Sequence, residues 1–531
     1  MSAPTPISID ASPMHRLWDI PELVQEIMTQ MDNGSLFNAI LTCRAWFDPA
    51  ASVLWAEVST RELFYLVSKR SAGWSIVTYG GGQDTAPLSR YARFVRWLCI
   101  RRDISDGARY ALLEVLDKRR TQPFFPILRI ASLEVPDVSW SGIAPSAALS
   151  QRELFFLCLS PSVAKVILSL NHDTLSRHDY LRGLMGGILS ATPQLRSIQL
   201  QRQFAFGGHR EAFLDSAAPL YHHALQQCLD KSLDSIRSFS ADLWALDPRI
   251  RQDLASLPSL ETLRIKAALG NPLIGWDAEC ARYMTFLESS PVALPRTDGG
   301  DRTGSDKTFP VLRVLELEGT SGPLEQILAL TPSVVDLSIV LHSTDLSELH
   351  STDLSKLTSV IGAQCSELQV LSFTQAQRTP RVCGKAVADR ILAKLRGCRK
   401  LRSLALHIDG NFDDDSLVQI SELWPEMEAL TLDGGGGLAS TRDGLQLLLS
   451  RCNNLCDLSL RVTFPTLKPL PGTHKRPTTQ RYIKFRPLQS LAAPPHVASE
   501  CLYAICPNLH ICDYTGWAWE DVAKKLDRWR V

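Results

Sequence analysis

The sequence predicts an α/β architecture in which a small three-helix module leads into a solenoid of strand-and-helix repeats. Three observations carry that expectation. An apolar-x-x-apolar-x-apolar pattern recurs along most of the chain, at intervals of roughly 22 to 35 residues, which is the period of a stacked repeat array. Proline stands two positions before many of these patterns, and cysteine three before others. Ahead of them, Leu17 to Val58 reads as three short helices, each too small to bury its own apolar face.

The first helix opens at Pro21, which needs no amide partner there, and Glu22 adds negative charge where the helix dipole favours it. Leu23, Ile27 and Met31 then repeat at helical spacing, with Val24 and Met28 beside them. Asp32 to Ser35 breaks that helix, and a second runs over Leu36 to Leu41 with Ser35 as its expected cap. Asp48 and Pro49 form the next cap and first-turn pair, opening a third helix through Ala50, Ala51, Val53, Leu54 and Trp55. Arg61 to Val67 extends as a further helix.

The repeat pattern is read at Phe94, Trp97, Cys99, irregularly at Leu128 and Leu133, then at Val163, Val166, Leu168 and at Leu195, Ile198, Leu200. It is weak at Leu233 and Ile236 and clear again at Leu260, Leu263, Ile265 and at Leu312, Leu315, Leu317, a gap expected to hold about two units. Val334, Leu368, Leu401, Met427 and Leu455 begin five more, followed by Leu488 with Leu491, and by Leu509. An apolar-x-apolar ending turns alternate side chains inward from a short strand, whereas Ile391 to Leu395 and Leu445 to Leu449 have helical character. One strand and one helix cannot bury an apolar face alone, so the units must stack. Pro126, Pro193, Pro258, Pro310 and Pro425 block helix continuation before strands, and Cys365, Cys398, Cys452 and Cys506 act as small apolar plugs in the turns.

Composition bounds the function. Lys plus Arg and Asp plus Glu both number 56, so no global charge argues for nucleic acid or an anionic membrane. No apolar run approaches the length of a membrane span, and the first 16 residues lack signal-peptide order. The 13 cysteines are an odd count without paired Cys-x-x-Cys motifs, in keeping with reduced thiols and a cytoplasmic or nuclear location. Cys501, Cys506, His510 and Cys512 lack a zinc spacing, and the glycine-rich Asp433 to Gly437 lacks the Lys-Ser or Lys-Thr of a phosphate loop. Asp413 to Asp415 reads as helix-starting charge, and no nucleophile, base and orienting acid occur as a set. HSTDLSEL at His342 to Leu349 is repeated as HSTDLSKL at His350 to Leu357, an eight-residue duplication of about two helical turns that either lengthens a helix or enlarges a loop, at a tolerant, exposed site. Arg461 to Ser499 carries seven Lys or Arg residues and no acid, as expected of a solvated loop between repeats, the alternative being a basic patch for a phosphorylated or acidic partner or a localisation signal.

Ile20, Pro21, Leu23, Ile27, Met31, Leu36, Leu41, Cys43, Trp46, Leu54 and Trp55, with Arg44 inside a Cys-Arg-x-Trp element, together resemble the F-box at F-box spacing. The later units resemble leucine-rich repeats of the helix-bearing, cysteine-containing kind found behind F-boxes, arranged as an irregular horseshoe. The implied organisation is a disordered tail over 1–14, an F-box over 15–59, a connecting helix and loop over 60–90, and repeats over 91–531 with loops near 298–307, 342–357 and 461–487. The resemblance implies a non-catalytic substrate-recognition subunit of a Skp, cullin and F-box ubiquitin ligase, with those eleven side chains meeting the Skp adaptor. It implies no cofactor, no metal, no nucleic acid and no membrane. The residues interleaved between inward apolars would meet the target protein, among them Gln199, Arg264, Lys266, Glu316, Glu318 and His407. A scaffold outside a ligase and a repeat-based small-molecule sensor are the alternative readings.

Overall fold

The computed structural model describes residues 20–67, 90–101, 104–117, 123–134, 145–170, 178–202, 235–266, 284, 287, 308–342, 351–376, 385–434, 440–464, 483–488, 493–512 and 517–530. The chain divides into two compact units, one of residues 1–208 with 219–235, the other of residues 209–218 with 236–531.

The first unit opens with three helices, α1 (Pro21–Thr29), α2 (Asn33–Thr42) and α3 (Arg44–Leu54). Pro21 takes the first helical position and Glu22 the first turn, as expected. The cap of α2 is Asp32 rather than Ser35. Its carboxylate accepts the Ser35 amide at 3.0 Å and the Ser35 hydroxyl at 2.9 Å, which starts the helix earlier than the sequence suggests. Both side chains can cap, but Asp brings a full negative charge to the positive end of the dipole. Helix α3 likewise begins at Arg44 behind Cys43, and Pro49 lies inside it rather than opening it. An interior proline costs about 3 kcal/mol. The packing of the whole module offsets that cost: Ala50, Val24, Met28, Leu36 and Ala39 are buried together, with Met31, Ile40, Trp46, Val53 and Leu54 packed around them.

Strand β1 (Glu57–Ser59) comes directly after α3, then α4 (Thr60–Val67), β2 (Trp97–Ile100), β3 (Ile130–Glu134), β4 (Lys165–Leu170) and β5 (Ser197–Arg202). All five strands pair in parallel, placing Val58, Leu98, Ala131, Val166 and Ile198 side by side. Helices Asp106–Asp117, Pro145–Cys158 and His178–Ala191 return the chain between successive strands. This register corrects the first repeat: Val95, Leu98 and Ile100 point inward, not Phe94, Trp97 and Cys99. Two apolar frames overlap there one residue apart, and a one-residue slip exchanges the faces of a strand. The irregular second unit is complete once Ala131 is recognised between Leu128 and Leu133.

The second unit repeats the scheme through β6 (Ser238–Ala241), β7 (Thr262–Ile265), β8 (Val314–Gly319), β9 (Asp336–Leu341), β10 (Val370–Gln375), β11 (Ser403–Ile408) and β12 (Ala429–Gly434). Ser440–Thr441 and Val462–Thr463 form a separate two-stranded sheet as β13 and β15, on either side of β14 (Asp457–Leu460) in the chain. Strands β16 (Ile483–Pro487) and β17 (Leu509–Ile511) close the main sheet. One inward row runs unbroken through Phe239, Leu263, Leu315, Leu337, Leu371, Leu404, Leu430, Leu458, Phe485 and Ile511. Each such side chain contributes about 1.5–3 kcal/mol on burial, so the row is a principal source of cohesion. The main strands of both units are parallel and alternate with helices, the architecture of a leucine-rich-repeat stack.

Four expectations are corrected here. The weak unit is Ile236, Phe239, Ala241, three residues beyond Leu233. Strand β7 pairs directly with β8, so the long gap from Leu260 to Leu312 adds no strand between them in the sheet. The penultimate strand is Ile483–Pro487 rather than one begun by Leu488, which places the ends of the expected 461–487 loop in strands. The second copy of the duplication forms the start of helix Ser351–Gln364, the helical of its two expected outcomes, so that part of the expected 342–357 loop is a helix. Most of the first copy, and the expected loop at 298–307, lie outside the described residues.

Candidate functional site

Helix α1 buries Val24 and Met28 and turns Leu23 and Ile27 outward, with Ile20 outward at its N-cap, leaving Ile20, Leu23 and Ile27 43%, 41% and 42% exposed. Helix α2 buries Leu36 and Ala39 and leaves Phe37 and Leu41 52% and 69% exposed. The spacing dictates this division. Residues three or four apart share a helix face, so Val24 with Met28 and Leu23 with Ile27 form adjacent stripes, of which the small module can bury only one. Pro21 is exposed, Cys43 half-buried, and Met31, Trp46 and Leu54 pack against the core. Trp55 stacks on Tyr91. The eleven F-box-like residues therefore divide into outward side chains, interior ones such as Leu36, and ones that join the module to the segment leading into β2. Phe37 belongs with the outward group although the F-box resemblance does not select it. Its sequence signal is that it precedes Leu41 by the same four residues that separate Leu23 from Ile27.

The outward positions of the repeat strands carry the second set of candidate residues, in each unit separately. Gln199 lies half-buried on β5 of the first unit, between inward Ile198 and Leu200. In the second unit the Arg264 Nε donates to Glu316 at 2.8 Å, and the Lys266 ammonium contacts the same carboxylate. Burial alone would raise the Glu316 carboxyl, but these two cations outweigh it and hold it below its ordinary value. Asp336, on the neighbouring strand, is raised by burial first and then by the charge of Glu316. Glu318 lies 2.9 Å from Nε2 of the buried His342. His407 Nδ1 approaches Asp433 at 3.6 Å, and Arg461 reaches the same carboxylate at 3.5 Å. Arg486 and Asp457 pair at 3.2 Å.

These pairs cross from strand to strand, so the charged side chains singled out by alternation are largely engaged with one another. Asp433, Arg461 and Arg486 could not be matched to partners from sequence because their contacts depend on strand register. Between the two charged ends, the middle outward row is Ser338, Ser372, Ala405, Thr431 and Ser459, all small. Among the described residues no group of three His, Cys, Asp or Glu side chains is placed to hold a metal ion, and no helix is long and apolar enough to cross a membrane. Cys501 and Cys506 are buried, and Asp413 caps helix Asp414–Leu423 by accepting the Ser416 amide at 3.1 Å.

No protein-family model matches the sequence, and no curated protein matches it. Among solved structures, the chain is similar to a crystal structure of the Rad7 and Elc1 complex in yeast, with 14% identity over 85% of this chain and 91% of that one, at a TM-score of 0.35. It is also similar to the leucine-rich repeat-containing protein LegL7 from Legionella pneumophila, with 12% identity over 81% and 97% of the two chains, at a TM-score of 0.34.

Proposed function

We propose that the chain is the substrate-recognition subunit of a Skp, cullin and F-box ubiquitin ligase, acting in the cytoplasm or nucleus. Its helical module docks on a Skp-family adaptor, and its repeats bind a protein target. The observation that carries this reading is the outward pair of stripes, Leu23 and Ile27 on α1 with Ile20 at its N-cap, and Phe37 and Leu41 on α2. Half-exposed apolar side chains of this size, concentrated on two short helices, suit a partner surface. Covering each contributes on the order of 1 kcal/mol. Catalysis in such an assembly is positional: the repeats hold the target beside a ubiquitin-loaded enzyme and raise the effective concentration of its lysines.

The test is co-purification of the full chain with a Skp-family adaptor. Leu23→Asp with Leu41→Asp should abolish capture while leaving the melting temperature unchanged, because both side chains face solvent. Trp46→Ala is the contrasting variant. Its ring packs on the core, so it should weaken capture only together with a loss of about 2–4 kcal/mol of stability. A wild-type chain that fails to capture the adaptor would end this reading.

A further inference from the structure

Beside the apolar stripe of α2, the module carries a cavity of about 460 Å³ whose walls include Leu41, Arg44, Phe47, Asp48, Arg90 and Arg93. Its chemistry differs from that of the stripes. Three guanidinium groups face one carboxylate. The single acid is taken up by one of them, since Arg93 Nη2 donates to Asp48 Oδ1 at 2.6 Å. Arg90 lies over the ring of Phe47 at 4.0 Å, a contact that orients the guanidinium without neutralising it. Arg44 is exposed and makes no hydrogen bond or ion pair among the described residues. Two positive charges thus remain unmatched around a concave space floored by an aromatic ring.

Arg44 comes from the start of α3, whereas Arg90 and Arg93 come from the segment leading into β2. The two segments are held together by Phe47, whose ring meets Tyr91 at 6.0 Å and Phe94 at 6.3 Å, and by Trp55 on Tyr91. The cavity is therefore built by tertiary packing, and two of its guanidiniums are oriented before any ligand arrives, Arg90 by Phe47 and Arg93 by Asp48. Arginine favours planar, bidentate recognition of carboxylates, and preorganised groups lose less freedom on binding.

We infer that this cavity receives an acidic protein segment of the same partner that covers Leu41, so that docking combines apolar contact with carboxylate recognition. The inference rests on the docking reading above for the identity of that partner. Nucleic acid is the poorer fit, because this cavity gathers only two unmatched charges and the whole chain is neutral, with 56 basic and 56 acidic residues.

The experiment uses the full chain and two binding measurements. The first is fluorescence anisotropy with a labelled octaglutamate peptide, which does not depend on the adaptor. Arg44→Glu with Arg90→Glu should weaken peptide binding roughly ten-fold or more, while Arg196→Glu, an exposed arginine on the same unit, leaves it unchanged. The second is adaptor affinity across a salt series, in which the double variant should bind roughly ten-fold more weakly and with a flatter salt dependence. Equal peptide binding by wild type and double variant, or none by the wild type up to millimolar peptide, overturns the inference whatever the adaptor does. Stronger, arginine-dependent binding of an oligothymidylate overturns it in favour of nucleic acid. An adaptor that binds wild type and double variant equally overturns the shared-partner assignment and leaves the docking reading standing. An adaptor that binds neither, with arginine-dependent peptide capture intact, ends the docking reading and retains the acidic-segment site.

Discussion

Trp55, at the end of α3, stacks on Tyr91 with ring centroids 4.8 Å apart and planes 29° from parallel. That contact, with the Arg93 to Asp48 pair and the Phe47 contacts, ties the helical module to the segment that feeds the first full repeat strand. Strand β1 adds to the same continuity, since Val58 lies beside Leu98 in the sheet. The module is thus the first layer of the stack rather than a bead on a linker.

Breaking this junction should destabilise the first unit. Trp55→Ala and Tyr91→Ala are each expected to lower stability by about 2–4 kcal/mol, and a double-mutant cycle should return a coupling of about 0.5–1.5 kcal/mol for the stacked pair. Denaturant unfolding of the single and double variants measures both. A coupling of zero would mean that the rings are neighbours without mutual stabilisation.

Two glycines in the second unit allow backbones to touch. A Cβ on Gly362, within helix Ser351–Gln364, would overlap the carbonyl oxygen of Lys394, and one on Gly397 would overlap the carbonyl oxygen of Gly362. Both obstructions are backbone atoms, which cannot move aside as a flexible side chain would. Gly362→Ala and Gly397→Ala should each cost about 1–3 kcal/mol, despite the higher helix propensity of alanine, and lower the denaturant midpoint accordingly. An unchanged midpoint would show that the two segments can separate without penalty.

The carboxylates on the outward strand face predict opposite pH effects. Glu316 is held below its ordinary value, so its contribution is present at neutral pH and is lost as pH falls through its folded-state value. Asp336 is raised by burial and by Glu316, so its ionised form opposes folding at neutral pH, a penalty relieved on protonation. Asp336→Asn should therefore raise the melting temperature at pH 7, with the gain disappearing below about pH 4. Lys266→Met with Arg264→Met should lower it at pH 7, and the difference from wild type should shrink over the same acid range.

Thiol chemistry tracks burial. Cys365 is pushed up to about 12 by burial and then by neighbouring Cys398, while burial pushes Cys398 and Cys452 to about 11. Cys456 is exposed. Labelling of the native chain with iodoacetamide at pH 8 should modify Cys456 and spare the other three, which become reactive on unfolding. Native labelling of Cys365 or Cys398 would reveal local opening of their turns.

The difference between legible and illegible features lies in how many physical constraints act on a residue at once. Leu404, Leu406 and Leu430 could be placed from sequence because alternation, a preceding turn residue and the repeat period agree on them. The strand at Trp97 to Ile100 could not, because apolar residues occupy both faces and alternation selects neither. Pro49 misled for a related reason. A proline that usually opens a helix sits within one here, where the burial of Ala50 and Ala51 decides the matter.

The sequence by itself determined the repeat period, the strand-and-helix class of the repeating unit and the set of large apolar residues in the first three helices, all of which depend on local spacing and propensity. Tertiary structure alone decided which of those residues face outward, because a stripe is buried only if another element covers it, and the module covers Val24 and Met28 but not Leu23 and Ile27. It also decided that Arg44 meets Arg90 and Arg93 at one cavity. Residues far apart in the chain acquire a shared chemistry only when packing brings their segments together.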